Sequence, residues 1–361
     1  MSTVALGIPV VPRPDATGAA PRPADDPGLV DRWGRRARDL RVSLTDRCNL
    51  RCSYCMPPEG LPWLPDPQLL QAEETLRLVR VAVERLGVDE VRFTGGEPLL
   101  RQDLPELVAG TAALRTPDGR RVRTALTTNG VGLDRRAARL AAAGLDRVTV
   151  SLDTLDRGRY ERITHRDRLA AVLRGIDAAL THGLDPVKVN ALVVRGVNDD
   201  ETPELVRWAC ALGVELRVIE HMPLDAHGDW DRSAMVTAEE VLGRLRAVFR
   251  LAPVGARGSA PAERWYVEEG GRRLGTVGVI ASVTRPFCGD CDRVRLTADG
   301  QVRNCLFAAH GTDLRGLLRG GADDETLAEA WRGDMWAKRA GHGIDDPSFV
   351  RPDRPMSAIG G

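Results

Sequence analysis

The sequence predicts an α/β protein: a partial (β/α)6 barrel of the TIM type with a smaller C-terminal lobe closing the barrel mouth. Between residues 40 and 219, six short β-branched or apolar runs alternate with amphipathic stretches. That order belongs to a parallel sheet wrapped by helices. After about residue 250 the pattern changes to short strands. The length, 361 residues, exceeds what one core commonly supports, so a second lobe is expected.

Residues 1–35 form the first segment, with six prolines (Pro9, Pro12, Pro14, Pro21, Pro23, Pro27) and little apolar periodicity, and are expected to be a disordered tail. The barrel is expected over 36–248 and the C-terminal lobe over 249–361. Barrel strands are predicted at 40–44, 90–94, 122–127, 147–151, 187–193 and 215–219. Leu76, Val79, Val83 and Leu86 recur at helical spacing and are closed by Gly87, and a second helix over 134–143 stops at Gly144. In the last lobe, strands are predicted at 264–267, 273–275 and 277–280.

The 51 basic and 51 acidic residues cancel, which removes the general electrostatic argument for nucleic acid or an anionic membrane as partner. Only Lys188 and Lys338 are lysines, so arginine carries nearly all the positive charge. No apolar run is long enough to span a bilayer, and Pro9 and Pro12 interrupt the only signal-like stretch. A cytoplasmic protein with reduced thiols is expected.

Chemistry is concentrated in Cys48-Asn-Leu-Arg-Cys52-Ser-Tyr-Cys55, which follows the first strand and holds three of the seven cysteines. Three thiolates can bind three irons of a 4Fe-4S cubane and leave the fourth open to a ligand. Zinc would usually want four ligands in C-x2-C pairs, and disulfide frameworks belong to small secreted domains. Strand two runs into Thr94-Gly-Gly-Glu-Pro98, where two glycines allow close backbone approach to a ligand, or simply a turn. Strands three and four deliver Thr127-Thr128-Asn129 and Ser151-Leu152-Asp153, hydroxyls that could hold a ribose or carboxylate or could cap helices. Lys188 on strand five, Arg217 on strand six, Arg41 and Arg92 would share one rim and suit a polyanion such as a set of phosphates. Taken singly, each is more ordinarily a solvated surface charge. A second trio, Cys288-x2-Cys291-x13-Cys305, is again one ligand short of a complete cubane set, with a structural zinc site as the alternative.

The first motif resembles the C-x3-C-x2-C signature of the radical S-adenosylmethionine (SAM) superfamily. With the Gly-Gly-Glu-Pro turn, the run Phe287-Cys288-x2-Cys291-x-Arg293-Val294-Arg295-Leu-Thr-x-Asp-Gly and the terminal Gly360-Gly361, the chain from residue 39 onward resembles the molybdenum cofactor biosynthesis protein A family, the GTP 3′,8-cyclases. The resemblance implies the radical SAM type of barrel and two 4Fe-4S clusters. Cys48, Cys52 and Cys55 would hold the one that binds SAM, and Cys288, Cys291 and Cys305 the one that meets the guanine of GTP. It places SAM against Tyr54, Gly96, Ser151 and Met222. GTP is placed against Arg41, Arg92, Thr127, Lys188, Arg217, Arg293 and Arg295, with the backbone of Val294 between the last two. Catalytic roles are implied for Arg41, Arg293, Arg295, Gly360 and Gly361, the last two threading back into the cavity.

The implied activity is a lyase-type cyclisation of GTP to (8S)-3′,8-cyclo-7,8-dihydroguanosine 5′-triphosphate, which opens molybdenum cofactor (molybdopterin) biosynthesis. A 5′-deoxyadenosyl radical would take hydrogen from C3′, and C3′ would then bond to C8. Implied partners are a flavodoxin- or ferredoxin-type electron donor, cyclic pyranopterin monophosphate synthase downstream and a second copy in a homodimer, with neither nucleic acid nor membrane among them. The alternative is a radical SAM peptide maturase with an auxiliary cluster. One position departs from the family: many members carry a lysine where this chain has Glu90, which predicts a less cationic phosphate pocket.

Overall fold

The computed structural model describes residues 22–23, 26–226, 228, 230–347, 349–352 and 354–360. Most of the expected tail (1–21 and 24–25) lies outside the described residues, and so does Gly361.

Six strands, β1 (Asp39–Ser43), β2 (Glu90–Thr94), β3 (Arg123–Thr128), β4 (Arg147–Ser151), β5 (Val187–Val193) and β6 (Glu215–Glu220), pair in parallel in chain order. They agree with the expected strands to within one residue at each end. Side chains alternate between faces along a strand. Leu40 and Val42, Val91 and Phe93, Val148 and Val150, and Leu216 and Val218 face outward into the apolar core under the helices. Arg41, Arg92, Thr127, Thr149, Lys188, Asn190 and Arg217 face inward and line a cavity. TIM barrels normally fill the interior with branched apolar side chains. Here the interior is polar, so stability resides in the outer layer and the centre is left as a chamber.

The outer layer contains α1 (Ala72–Glu84), α2 (Leu104–Ala113), α3 (Ala137–Ala142), α4 (Arg157–Thr164), α5 (Leu169–Thr181), α6 (Thr202–Leu212) and α7 (Ala238–Arg246). Helix α1 starts at a capping box between Gln71 and Glu74 and buries Thr75, Leu78, Val79, Val81, Ala82 and Val83. The helix expected over 134–143 is divided: a 3-10 turn at Leu133–Arg135 precedes α3, and Arg136, at φ −119°, breaks the regular turn between them.

The C-terminal strands join the barrel sheet. Strands β7 (Arg250–Pro253), β8 (Glu263–Glu269), β9 (Arg272–Ile280), β10 (Arg293–Leu296), β11 (Gln301–Arg303) and β12 (Thr312–Asp313) complete a twelve-stranded sheet. Its order is β12-β11-β10-β1-β2-β3-β4-β5-β6-β9-β8-β7, with β10 parallel to β1 and β9 parallel to β6. The open barrel is thus extended at both edges by its own C-terminal chain. The strands expected at 273–275 and 277–280 are one, β9, in which Gly275 leaves room for Cys210 of α6; a Cβ there would sit 2.9 Å from the Cys210 sulfur. Helices α8 (Leu314–Arg319), α9 (Asp324–Trp336) and α10 (Met356–Ile359) complete the chain, and Trp331 of α9 is fully buried.

Residues 26–35, expected as the end of the tail, are packed against the body. Leu29 belongs to the core, and Asp31 and Arg35 form a buried ion pair at 2.5 Å. The Arg35 guanidinium also donates to the carbonyl oxygens of Cys288 (2.5 Å), Arg339 (2.6 Å) and Ala340 (2.8 Å). A proline-rich composition hid a buried charge pair.

At the end of β6 the fully buried Glu220 carboxylate accepts from Ala238 N (2.7 Å), Val283 N (2.8 Å), Thr284 N (2.9 Å) and Thr284 Oγ1 (2.5 Å). One side chain therefore ties the start of α7 and the turn after β9 to the barrel. Glu220→Ala orphans three buried amides at about 1–3 kcal/mol each. It is expected to lower stability to urea by about 3 kcal/mol or more, with Glu220→Gln losing less; far-UV circular dichroism reads both.

Candidate active site

Both cysteine trios line a single cavity of about 540 Å³ that runs through the barrel interior, the first trio at the C-terminal ends of the strands and the second at the other end, beside the start of β1. All six thiols are free. The first trio sits on the loop after β1, which is held to α4 by Arg51 N to Thr164 O and Ser53 N to Ile163 O, both 2.9 Å. Cys48 Sγ accepts from Leu50 N at 3.4 Å and Asn129 Nδ2 at 3.7 Å. Burial pushes the Cys48 thiol up to about 11, helped by Glu97, and Cys55 up to about 12, helped by Cys48 and Asp153. Bare thiols here stay protonated, so a bound metal centre is what would draw the protons off.

The second trio comes from the β9–β10 connection and the turn after β11. Burial raises Cys288 to about 11. At Cys291 burial acts in the same direction, but Lys338 and Arg293 outweigh it and hold the thiol below its ordinary value. Cys305 Sγ accepts from Phe307 N at 3.4 Å. Among the described residues no three His, Cys, Asp or Glu side chains converge closely enough to hold a single metal ion. Two sets of three thiols, each facing the cavity and supported by N–H donors to sulfur, fit two cubanes with one open iron apiece.

The Gly95-Gly96-Glu97 turn is strapped to the first cysteine loop by Gly96 N to Thr45 O (2.7 Å) and Glu97 N to Arg47 O (2.8 Å). A Cβ at Gly96 would collide with the carbonyl oxygens of Asp46 and Arg47. Glu97, fully buried, accepts from Leu99 N (2.9 Å), Thr128 Oγ1 (2.7 Å) and Asn129 N (2.7 Å), while burial raises its carboxyl to about 7. It thereby aims Asn129 at Cys48. Tyr54 donates to Asp153 Oδ2 at 2.6 Å, and Asp153 Oδ1 accepts from Leu192 N at 2.8 Å. Tyr54, Gly96, Ser151 and Met222 all line the cavity.

The cavity wall is cationic because of strand register. Arg295, Arg41 and Arg92 are direct neighbours across β10, β1 and β2, and Lys188 and Arg217 follow on β5 and β6. Burial, reinforced by Arg295, pushes Arg41 down to about 9, which leaves it charged at neutral pH. Burial and Arg217 bring Lys188 down to about 8. Arg92 also reaches Thr127 Oγ1 (3.4 Å) and Thr149 Oγ1 (3.3 Å).

Glu90 is set among the arginines of this wall and offsets part of their charge. Its carboxylate is paired with Arg92 (3.2 Å), Arg123 (3.4 Å) and Arg147. Burial opposes ionisation, but these arginines hold the carboxyl well below the usual range. Arg123 and Arg147 both line the cavity and were not singled out from the sequence. The available signal was parity, since both open their strands on the inward face, and Arg123 sits opposite Glu90 in register.

Arg293 donates to Ser259 O at 2.6 Å and stacks on Phe287 with its guanidinium carbon 4.6 Å from the ring centroid. Arg295 donates to Gly360 O, and Ser43 Oγ to Ile359 O at 2.9 Å, so the C-terminal end lies against β1 and β10. Gly360 has φ +85°, and a Cβ there would collide with Ser43 Oγ. The side chain of Val294 is fully buried in the apolar core, which leaves only its backbone between Arg293 and Arg295 for a ligand.

The model of the radical SAM superfamily matches residues 42–209, and that of Molybdenum Cofactor Synthesis C matches 214–344. GTP 3′,8-cyclase of Mycobacterium marinum is 58% identical over 366 residues, covering 100% of both chains. GTP 3′,8-cyclase of Corynebacterium glutamicum is 59% identical over 336 residues, 92% of this chain and 89% of that one. The chain belongs to the GTP 3′,8-cyclase family. Among solved structures it is similar to Streptococcus suis SuiB bound to S-adenosylmethionine, with TM-score 0.49 and 15% identity over 75% of this chain and 60% of that one. As a GTP 3′,8-cyclase the chain uses SAM and iron-sulfur clusters. Cys288→Ser is expected to bring the iron of anaerobically purified protein to about half that of the wild type, read by iron and sulfide quantification.

Proposed function

We propose that this chain converts GTP to (8S)-3′,8-cyclo-7,8-dihydroguanosine 5′-triphosphate, the first step of molybdenum cofactor biosynthesis. The observation that carries this reading is the shared cavity, with one cysteine trio beside the Gly95-Gly96 turn, the other beside Arg293, and an arginine-lined wall. When bound, the first cluster and SAM supply one-electron carbon-sulfur cleavage and a hydrogen-abstracting radical.

The residues bind and orient. Cys48, Cys52 and Cys55 would hold the first cluster, with SAM against Tyr54, Gly96, Ser151 and Met222. Cys288, Cys291 and Cys305 would hold the second, which would meet the guanine of GTP. Arg41, Arg92, Lys188 and Arg217, with Thr127, would clamp the triphosphate, and Arg293, Arg295 and the backbone of Val294 would lie along the nucleotide. Gly360 and Gly361 would bring the C-terminal end to the ribose. With both ends of GTP anchored, C3′ and C8 are kept within one substrate, and geometry replaces a bimolecular encounter.

A peptide maturase is not favoured, since this wall is built for a small polyanion. Each SAM cleavage consumes one electron, which fits a flavodoxin- or ferredoxin-type donor, and the cyclised triphosphate would pass to cyclic pyranopterin monophosphate synthase. No helix among the described residues is long and apolar enough to cross a membrane.

Reconstituted protein incubated anaerobically with GTP, SAM and dithionite should release 5′-deoxyadenosine together with a cyclised nucleotide. Release of 5′-deoxyadenosine at an equal rate without GTP, and with no cyclised product, would refute the substrate. Lys188 is charged below its value of about 8 and loses its charge above it, so phosphate attraction weakens as pH rises. The apparent KM for GTP should be flat below pH 8 and climb by up to about tenfold per pH unit above it. Lys188→Arg should flatten the climb.

A further inference from the structure

Lys338, one of only two lysines in the chain, lies outside the proposed SAM and GTP contacts, yet its ammonium is buried. Burying an ammonium costs several kcal/mol unless an opposite charge meets it. Among the described residues no carboxylate lies within ion-pairing distance of Lys338. Its Nζ donates to Arg293 O at 2.8 Å and lies 3.4 Å from both Cys291 O and Cys291 Sγ. Asp334 feels the Lys338 charge without contacting it, and burial holds its carboxyl up at about 7, so the counter-charge in contact with the ammonium is the Cys291 sulfur.

Other cations gather on the same turn. Arg293 Nη1 is 4.0 Å from Cys291 Sγ, and the Arg35 guanidinium donates to Cys288 O at 2.5 Å. The first trio is served differently: the donors to Cys48 Sγ are the neutral Leu50 N and Asn129 Nδ2. The two ends of one cavity thus differ in local charge.

From this geometry we infer that Lys338 is a positioning residue that sets the reduction potential of the cluster on Cys288, Cys291 and Cys305, holding it high with a fixed positive charge against one ligand. The inference rests on the proposed reading that this trio carries a 4Fe-4S cluster. Such a cluster gains one negative charge on reduction, and an adjacent cation favours the reduced form. Net charge and hydrogen bonds to sulfur are among the terms that set these potentials. The two carbonyl contacts would also support the turn, so the test must separate charge from scaffolding.

The experiment is a potentiometric titration of the holoenzyme followed by electron paramagnetic resonance, with SAM added to distinguish the first cluster from the second. In Lys338→Met, the reduced-to-oxidised ratio of the second cluster at the wild-type midpoint should fall about tenfold, a shift of about 59 mV to more negative potential for a one-electron couple. Lys338→Arg should stay within about twofold of wild type, and the first cluster should not move. An unchanged potential in Lys338→Met, an equal shift in Lys338→Arg, or an equal shift of both clusters would overturn the inference. If Lys338→Met loses the second cluster, Lys338→Gln is read in its place. Loss from both neutral variants while Lys338→Arg keeps the cluster would make the role purely structural and overturn the inference. A wild type that assembles only one cluster would instead overturn the two-cluster reading, and the inference with it.

Discussion

Like charges enclosed in one chamber are the constraint on which this structure depends. Arg41, Arg92, Lys188, Arg217, Arg293 and Arg295 line one cavity, and its carboxylates, such as Glu90 and Asp39, offset them only in part. Partial balance shows in Arg41 and Lys188, whose protonated forms burial and neighbouring arginines disfavour. Enclosed charges of one sign are costly unless a counter-charge arrives. A triphosphate would supply it. The fold can hold such an interior because the apolar side chains of the strands point the other way, under the helices, so stability and ligand demand sit on opposite faces of one sheet.

Extension of the open sheet at both edges by its own C-terminal chain converts that lining into a two-ended site. Strands β9 and β10 extend the barrel at both edges, and the connection between them carries Cys288 and Cys291 over the strand ends. Three devices hold that cover: Glu220 at the turn after β9, Arg35 on the Cys288 carbonyl, and Arg354, whose guanidinium binds both Asp299 carboxylate oxygens at 2.8 Å just before the terminal helix. Gly360 then fits where no side chain could. Each device is a charged group whose removal would loosen the cover without touching the first cysteine loop.

What could be read from the sequence was local. The six barrel strands were legible because outward β-branched residues mark every second position, and the cysteine trios because ligand spacing lies within short runs. Long-range pairing was not legible: nothing in residues 272–296 says that they flank β6 and β1. The packing of residues 26–35 was masked by prolines and depends on Asp31 meeting Arg35. Arg123 and Arg147 were passed over because only strand register shows that they meet Glu90 beside Arg92. In each miss, a neighbour distant in sequence decided the outcome.

Anomalous diffraction at the iron edge from crystals of the holoenzyme with SAM and GTP tests the central claim most directly. The account predicts two separate iron centres bounding one chamber, with the triphosphate against Arg41, Arg92 and Lys188 and the guanine at the centre held by Cys288, Cys291 and Cys305. A single iron centre, or GTP bound outside the chamber, would contradict it.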